Sequence, residues 1–85
     1  MLRVEFSNLS KKFLKKCDKE IYWRIIKKIE ELCKNPFPSD IIRIIGRKEK
    51  IFRIRIGDYR VLYELYTDRN LILISEIDKR SRIYD

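Results

Sequence analysis

Three arginines, Arg53, Arg55 and Arg60, lie within residues 51–66, Ile-Phe-Arg-Ile-Arg-Ile-Gly-Asp-Tyr-Arg-Val-Leu-Tyr-Glu-Leu-Tyr. Their side chains stay charged at any physiological pH and carry a planar fork of donors that matches the oxygens of a phosphate. The runs on either side of Gly57-Asp58 alternate, and that pair suits a two-residue hairpin turn because glycine accepts a positive φ. The turn fixes a register in which Ile56 faces Tyr59, Arg55 faces Arg60, Ile54 faces Val61, Arg53 faces Leu62 and Phe52 faces Tyr63. Side chains alternate between the faces of a sheet, so the three arginines share one face. Phe52, Ile54, Ile56, Tyr59, Val61 and Tyr63 share the other. Arg55 and Arg60 fall at a non-hydrogen-bonded pair, where like charges destabilise a sheet. A phosphate lying between the guanidinium groups relieves that repulsion. The competing reading is a solvated arginine face with local counter-charge from Glu64, Glu76 or Asp78.

A second group of cations follows near the end of the sequence, in Asp78-Lys79-Arg80-Ser81-Arg82-Ile83-Tyr84-Asp85. Asp68-Arg69-Asn70 reads as the loop of another hairpin, with Asn70 able to take the left-handed conformation. If Thr67 faces Leu71, then Leu65 faces Leu73, Tyr63 faces Ser75, Val61 faces Ile77 and Arg60 faces Asp78. The last strand then leaves the sheet beside Arg60, and Arg80, Arg82 and Tyr84 emerge next to Arg55 and Arg60. The same register puts Leu71, Leu73 and Ile77 on the core face, and Ile72 and Ile74 with Leu62 and Tyr66 on the arginine face. An apolar patch beside cations calls for a cover. A short, acidic, amphipathic partner segment that folds on contact would supply one.

The elements that must position these groups are legible in order. Residues 2–6 alternate apolar and charged, as in a short strand. Ser7 or Asn8 can cap the helix that follows. Its inner stripe is Leu9, Phe13, Leu14 and Cys17, and its outer face is Lys11, Lys12, Lys15 and Lys16. Asp18 caps a second helix running to about Lys34, with Ile21, Ile25, Ile29 and Leu32 inward, widened by Tyr22, Ile26 and Cys33. Asn35-Pro36-Phe37-Pro38 stops it, since proline lacks the N–H and restricts the residue before it. Ile41–Ile45 reads as a short strand, and Gly46–Lys50 as a charged turn into the central hairpin. The expected fold is α+β: an N-terminal strand and a two-helix hairpin packed on an antiparallel β-meander, in the order β-α-α-β-β-β-β. Residues 1–85 form a single domain. Tyr59 and Tyr63 belong to its core, whereas Trp23 on the second helix serves either packing or a partner surface.

Composition narrows the chemistry. The 85 residues carry 21 Lys+Arg against 13 Asp+Glu, a net charge of +8, which favours a polyanionic partner. Residues 1–40 hold eight Lys and two Arg, and residues 41–85 hold eight Arg and three Lys. Lysines on helices are commonly solubilising, so arginine enrichment on the strands favours a directional binding site there. The absence of His removes imidazole acid–base chemistry and argues against a transition-metal site, so no metal and no cofactor are expected. No stretch approaches the ~20 apolar residues of a membrane span and the amino terminus lacks a signal-peptide h-region, which implies a cytoplasmic protein without a membrane partner. Cys17 and Cys33 would lie roughly 20 Å apart along the helical hairpin, too far for a disulfide.

Asn35-Pro36-Phe37-Pro38, the stretch from Phe52 to Tyr63, and Arg80 with Ile83-Tyr84 together resemble the RelE/ParE toxin superfamily, and the resemblance spans the whole chain. The Arg-x-Arg-x-Gly-Asp-Tyr-Arg-x-x-Tyr core is its specific part. The resemblance implies the RelE-like fold described above and the toxin half of a type II toxin–antitoxin system. In RelE-like members the activity implied is ribosome-dependent cleavage of messenger RNA in the A site, inhibiting translation. Carried over residue by residue, Arg53 and Arg55 match the basic pair before the turn, Arg60 the arginine after it, Arg80 the arginine after the last strand and Tyr84 the C-terminal tyrosine. These five are the implied catalytic set, with Lys50, Lys79 and Arg82 as further RNA contacts. The chain departs from the family in carrying Lys79 where many relatives have a histidine, and in ending directly after Tyr84.

The implied enzyme is a metal-independent endoribonuclease, an mRNA interferase. Its partners would be the ribosome, messenger RNA and a RelB-like antitoxin. The free toxin would be a monomer that can enter a higher-order toxin–antitoxin complex. Arginine is too weak an acid to serve as the base. Tyr84 could take that role only if its pKa were lowered by neighbouring arginines, and could equally be an anchor for the chain end. Two alternatives stand beside the nuclease: a ParE-like, non-catalytic inhibitor of DNA gyrase, and a non-toxic RNA-binding module.

Overall fold

The central hairpin is built on Gly57, whose φ of +59° opens a turn in which Asp58 keeps a negative φ. Glycine first, followed by a residue of ordinary conformation, is the form of two-residue turn whose twist matches flanking strands. In the computed structural model, which describes residues 1–44 and 51–79, this turn joins β3 (Ile51–Ile56) to β4 (Tyr59–Tyr66). Every pairing expected from the turn is present, from Ile56↔Tyr59 and Arg55↔Arg60 to Phe52↔Tyr63.

Around the hairpin the chain runs β1 (Arg3–Phe6), α1 (Asn8–Lys16), α2 (Lys19–Lys34), β2 (Ile42–Arg43), β3, β4 and β5 (Leu71–Lys79), with a short 3-10 turn at Thr67–Arg69. The strands form one sheet in the order β1-β5-β4-β3-β2. β2 to β5 make the antiparallel meander, and β1 joins its far edge parallel to β5, with Arg3 opposite Leu71 and Phe6 opposite Ile74. The expected α+β fold is therefore the observed one. β2 is shorter than its apolar run, covering Ile42–Arg43 where Ile41–Ile45 was expected; Ile45 and the Gly46–Lys50 turn lie outside the described residues.

The helices form where capping and stripe agree. Ser7, rather than Asn8, caps α1 by accepting a hydrogen bond from the Ser10 N–H, and Asp18 caps α2 by accepting from the Ile21 N–H. Such caps satisfy donors that a helix start leaves orphaned, worth about 1 kcal/mol each. α2 ends at Lys34 with Asn35 as its cap, before the two prolines. Its inner residues Ile25, Ile29, Leu32 and Cys33 pack on Phe52, Ile54, Val61, Tyr63, Leu65, Ile72, Ile74 and Ile77 of the sheet. On α1 the expected stripe is corrected at one end: Leu9 is exposed, and the buried residue of the first turn is Ser10. The Ser10 hydroxyl donates to the Ile74 carbonyl at 2.8 Å, so a polar side chain can occupy the helix–sheet seam. Cys17 and Cys33 are free thiols.

The β4–β5 pairing differs from expectation in its upper half. Asn70 does adopt the left-handed conformation, but the loop holds four residues, Thr67 to Asn70, and Tyr66 rather than Thr67 closes it opposite Leu71. The pairing therefore starts one residue out of step: Leu65 faces Ile72 and Tyr63 faces Ile74. An irregularity between Leu62 and Tyr63 restores the expected pairs Val61↔Ile77 and Arg60↔Asp78. Ser75 is the extra residue, and it is stitched in place on both sides. Its hydroxyl donates to the Leu62 carbonyl at 3.1 Å, and its carbonyl accepts from the Ser7 hydroxyl at 2.7 Å. A bulge reverses which side chains face inward. Ile72 and Ile74 are consequently fully buried in the core instead of lying with the arginines. Leu71 and Leu73, opposite Tyr66 and Glu64, take the arginine face in their place.

Candidate functional site

The arginine face is real in its central row. Arg55 and Arg60 are direct partners across β3 and β4, and Asp78 faces Arg60 from the other side, across β4 and β5. The row Arg55, Arg60, Asp78 thus carries two positive charges and one negative. Asp78 stands where the competing reading put a counter-charge, but the face is not solvated throughout. Arg55 is exposed, but Arg60 retains 2% of its accessible surface and Arg53 retains 6%. Arginines are rarely buried to that degree unless their charge is satisfied, and both are engaged with other groups of the chain. A guanidinium held this firmly is aimed, which a freely solvated one is not.

Around the row lie Leu62, Glu64 and Tyr66 on β4 and Glu76 on β5. The Tyr66 hydroxyl donates to Glu64 Oε1 at 2.5 Å, and the Arg69 guanidinium stacks over the Tyr66 ring at 5.9 Å. Glu64 is thereby committed to Tyr66. The apolar component of this face is Leu62, Tyr66, Leu71 and Leu73 rather than the patch containing Ile72 and Ile74.

Of the other expected site residues, Lys79 is placed differently. It pairs with Tyr59 at the end of β5, which turns it toward the helical side of the sheet. There it lines a cavity of 350 Å³ with Lys12, Phe13, Lys16, Cys17 and Tyr59, and is not gathered with Arg55 and Arg60. Lys50, Arg80, Arg82 and Tyr84 lie outside the described residues. The side chains that sequence reasoning missed are on α2. Arg24 reaches the Gly57 turn, its Nη2 lying 2.8 Å from where a β-carbon at Gly57 would sit. The available signal was that Arg24 is one of two arginines among the lysines of residues 1–40.

The remaining candidates for acid–base or nucleophilic work are poorly suited to it. Burial, and then the charge of Asp40, push the Tyr63 phenol well above the usual tyrosine range. Its hydroxyl donates to the Pro36 carbonyl at 2.8 Å, tying the proline turn to the sheet. Both thiols are also raised: Cys17 by burial and then Asp18, Cys33 by burial and then Glu30. Thiols in such surroundings are inert packing groups. Tyr59 is half-buried against Phe13, with ring centroids 5.7 Å apart and edge to face. Trp23 is 57% exposed and touches Tyr22 edge to face, so it is no part of the core. Among the described residues, no helix is long and apolar enough to cross a membrane.

Comparison with known proteins places this geometry. A family model described as the ParE toxin of the type II toxin-antitoxin system parDE matches residues 4–84. A protein of Methanocaldococcus jannaschii carried under the name toxin RelE1 is 41% identical over 59 residues, covering 66% of this chain and 64% of that protein. The match thus spans slightly less than two thirds of the relative's length. Among solved structures, a chain of the archaeal RelE–RelB complex from Pyrococcus horikoshii superposes with a TM-score of 0.82 at 29% identity, over 96% of this chain and 98% of that one. A chain of the RelB–RelE complex from Methanococcus jannaschii gives 0.72 at 30% identity, over 94% of each. The isolated Escherichia coli RelE toxin gives 0.83 at 16% identity, over 98% of this chain and 88% of that one, a likeness of fold. With the family model covering nearly all of the sequence, the chain belongs to the RelE/ParE toxin superfamily.

Proposed function

We infer that this chain is the toxin of a type II toxin–antitoxin pair, and that it acts in the cytoplasm as a ribosome-dependent, metal-independent endoribonuclease on messenger RNA. The observation that carries this reading is the facing pair Arg55–Arg60, in which one guanidinium is exposed and the other is held at 2% exposure. A ribose 2′-hydroxyl attacking the adjacent phosphate gathers negative charge on the phosphoryl oxygens. Preorganised cations aimed at that charge are commonly the largest contribution to catalysis of this kind. In this reading the exposed Arg55 meets the phosphate first, and Arg60 stabilises it from a fixed position. Arg53, Arg80 and Tyr84 complete the proposed catalytic set, with Tyr84 the candidate base if cations beside it lower its pKa.

The partner follows from the same charges. The Pyrococcus horikoshii and Methanococcus jannaschii relatives were each solved as complexes of RelE with RelB. A RelB-like antitoxin here would set carboxylates against the arginine row and cover the half-buried Leu62, Tyr66 and Leu73, holding the toxin inactive. The match to a ParE family model favours a second reading, inhibition of DNA gyrase by binding alone. Mapping transcript ends after induced expression separates the two. Cuts within translated messages, in frame with codons, support the nuclease; intact messages accompanied by DNA damage support the gyrase inhibitor.

A further inference from the structure

Beside the arginine face, around the edge of β3, lies a second basic site. A cleft of 330 Å³ opens between α2 and the Gly57 turn, lined by Arg24, Lys27, Lys28, Glu31, Arg55, Ile56 and Gly57. Lys28 is compensated, with its ammonium 3.8 Å from Glu31 and 4.0 Å from Asp40. Among the described residues, Arg24, Lys27 and Arg55 make no ion pair, and all three are exposed. Three like charges from two separate elements therefore converge on one cleft. Arg24 comes close because Gly57 has no side chain: a β-carbon there would meet its Nη2 at 2.8 Å. β2 pairs with β3 at Arg53 and Phe52 among the described residues, so Arg55 stands beyond that pairing.

We propose that this cleft is a backbone-phosphate site for single-stranded RNA, continuing the arginine face around the β3 edge so that the strand is gripped on both sides of Arg55. The chemistry of the lining selects the ligand. Among the described residues lining the cleft Ile56 is the single apolar side chain, whereas an amphipathic peptide partner needs apolar purchase. A phosphodiester chain needs none, and binds mainly by charge and counterion release. The spread of cations over a helix and a strand suits a linear polyanion better than a compact one. This inference rests on the RNA-directed reading above, but it concerns affinity rather than cleavage.

The test measures binding of a 12-nucleotide oligouridylate with 2′-O-methyl sugars, which cannot be cut, to the full chain without ribosomes. Arg24→Ala/Lys27→Ala should weaken binding about tenfold at 0.1 M salt and flatten the log–log salt dependence by about 1.4, the contribution of two phosphate contacts on a single strand. Lys11→Ala/Lys15→Ala removes the same charge from exposed lysines of α1 that line no described cavity and should change affinity less than twofold. Equal losses in both variants would make the effect one of overall charge and overturn the site, as would no measurable binding by the unsubstituted chain. Loss of affinity for the cognate antitoxin with RNA binding retained would assign the cleft to a protein and also overturn it. Circular dichroism confirms folding of each variant. Message cleavage in cells is scored separately. If no chain cuts RNA yet the double variant binds tenfold worse, the nuclease reading fails and the cleft stands. If all variants bind and cut alike, the cleft fails alone.

Discussion

Arg60 faces Arg55 across one hairpin and Asp78 across the next, and it is the most buried charged residue among those described. Facing arginines alone would make Arg60 dispensable to the fold, since removing it relieves repulsion. Burial at 2% exposure with Asp78 opposite changes that balance. Truncation would empty a filled volume and leave a half-buried carboxylate facing it. Costs of that kind run to about 2–3 kcal/mol.

Arg60→Ala should therefore abolish growth arrest and also lower the melting temperature. Arg60→Lys retains the charge and most of the volume but not the donor fork, so it should keep the fold nearly intact while still losing activity. Thermal melts beside growth assays give the answer. A lysine variant with full toxicity would show that Arg60 supplies charge alone, and that phosphate is not read through its geometry.

How far the sequence disclosed this arrangement depends on which contacts were local. The β3–β4 register was legible because alternation and Gly57 agree over neighbouring residues. The β4–β5 register was legible only near the site, at Val61↔Ile77 and Arg60↔Asp78. Leu71-Ile72-Leu73-Ile74 is apolar on both faces, so no pattern marks which pair is buried, and the bulge at Ser75 carries no hydrophobic signature. Ser7 and Ser10 decide the matter through hydrogen bonds to Ser75 and Ile74, contacts made across more than 60 residues. The parallel docking of β1 on β5 is hidden for the same reason. Arg24 was missed because a charged helix face looks the same whether it meets water or a glycine turn.

The Gly57 turn makes a prediction separable from function. At φ +59°, any residue with a β-carbon is strained, by roughly 1–2 kcal/mol. The contact with Arg24 adds little, since the end of a flexible side chain can move aside. Gly57→Ala should lower stability by about that amount, and Gly57→Asn by less, because asparagine tolerates the left-handed region. Urea titration of the three proteins checks the order. Equal stability of the alanine and glycine forms would mean that the turn relaxes to another type.

Alkaline pH should reveal Tyr63. Its folded-state pKa is raised by burial and by Asp40, whereas in the unfolded chain it titrates near ~10. Below that value both states keep the proton and the contribution to stability is complete. Above it the unfolded state releases the proton while the folded state retains it, so stability falls as pH rises toward the folded pKa. Tyr63→Phe should cost about 1 kcal/mol at pH 8 through loss of the bond to the Pro36 carbonyl. It should also lose less stability than the parent between pH 8 and pH ~11. Parallel urea midpoints at the two pH values measure the difference, and identical slopes would place the ionisation elsewhere.

The chemistry of the cut is the most direct check on the arginines' proposed role. The sequence holds no His and both described thiols are raised by burial, so the proposed role sets guanidinium groups, with the Tyr84 phenol as candidate base, on the phosphate. Guanidinium stabilises charge without taking a proton, and in the proposed reaction the attacking oxygen is the substrate's own ribose 2′-hydroxyl. Attack by that oxygen forms a 2′,3′-cyclic phosphate and expels the 5′-oxygen, which leaves with a proton. Cleaved message should accordingly end in a cyclic or 3′-phosphate, with a 5′-hydroxyl on the downstream piece. Replacing the 2′-hydroxyl by hydrogen at the cut site should abolish cleavage, and excess chelator added to purified toxin and ribosomes pre-bound with message should leave the rate within about twofold, well short of a catalytic metal's several kcal/mol. End-group analysis decides the matter: a 3′-hydroxyl product would require an external nucleophile, and the Arg55–Arg60 pair would then be a binding site only.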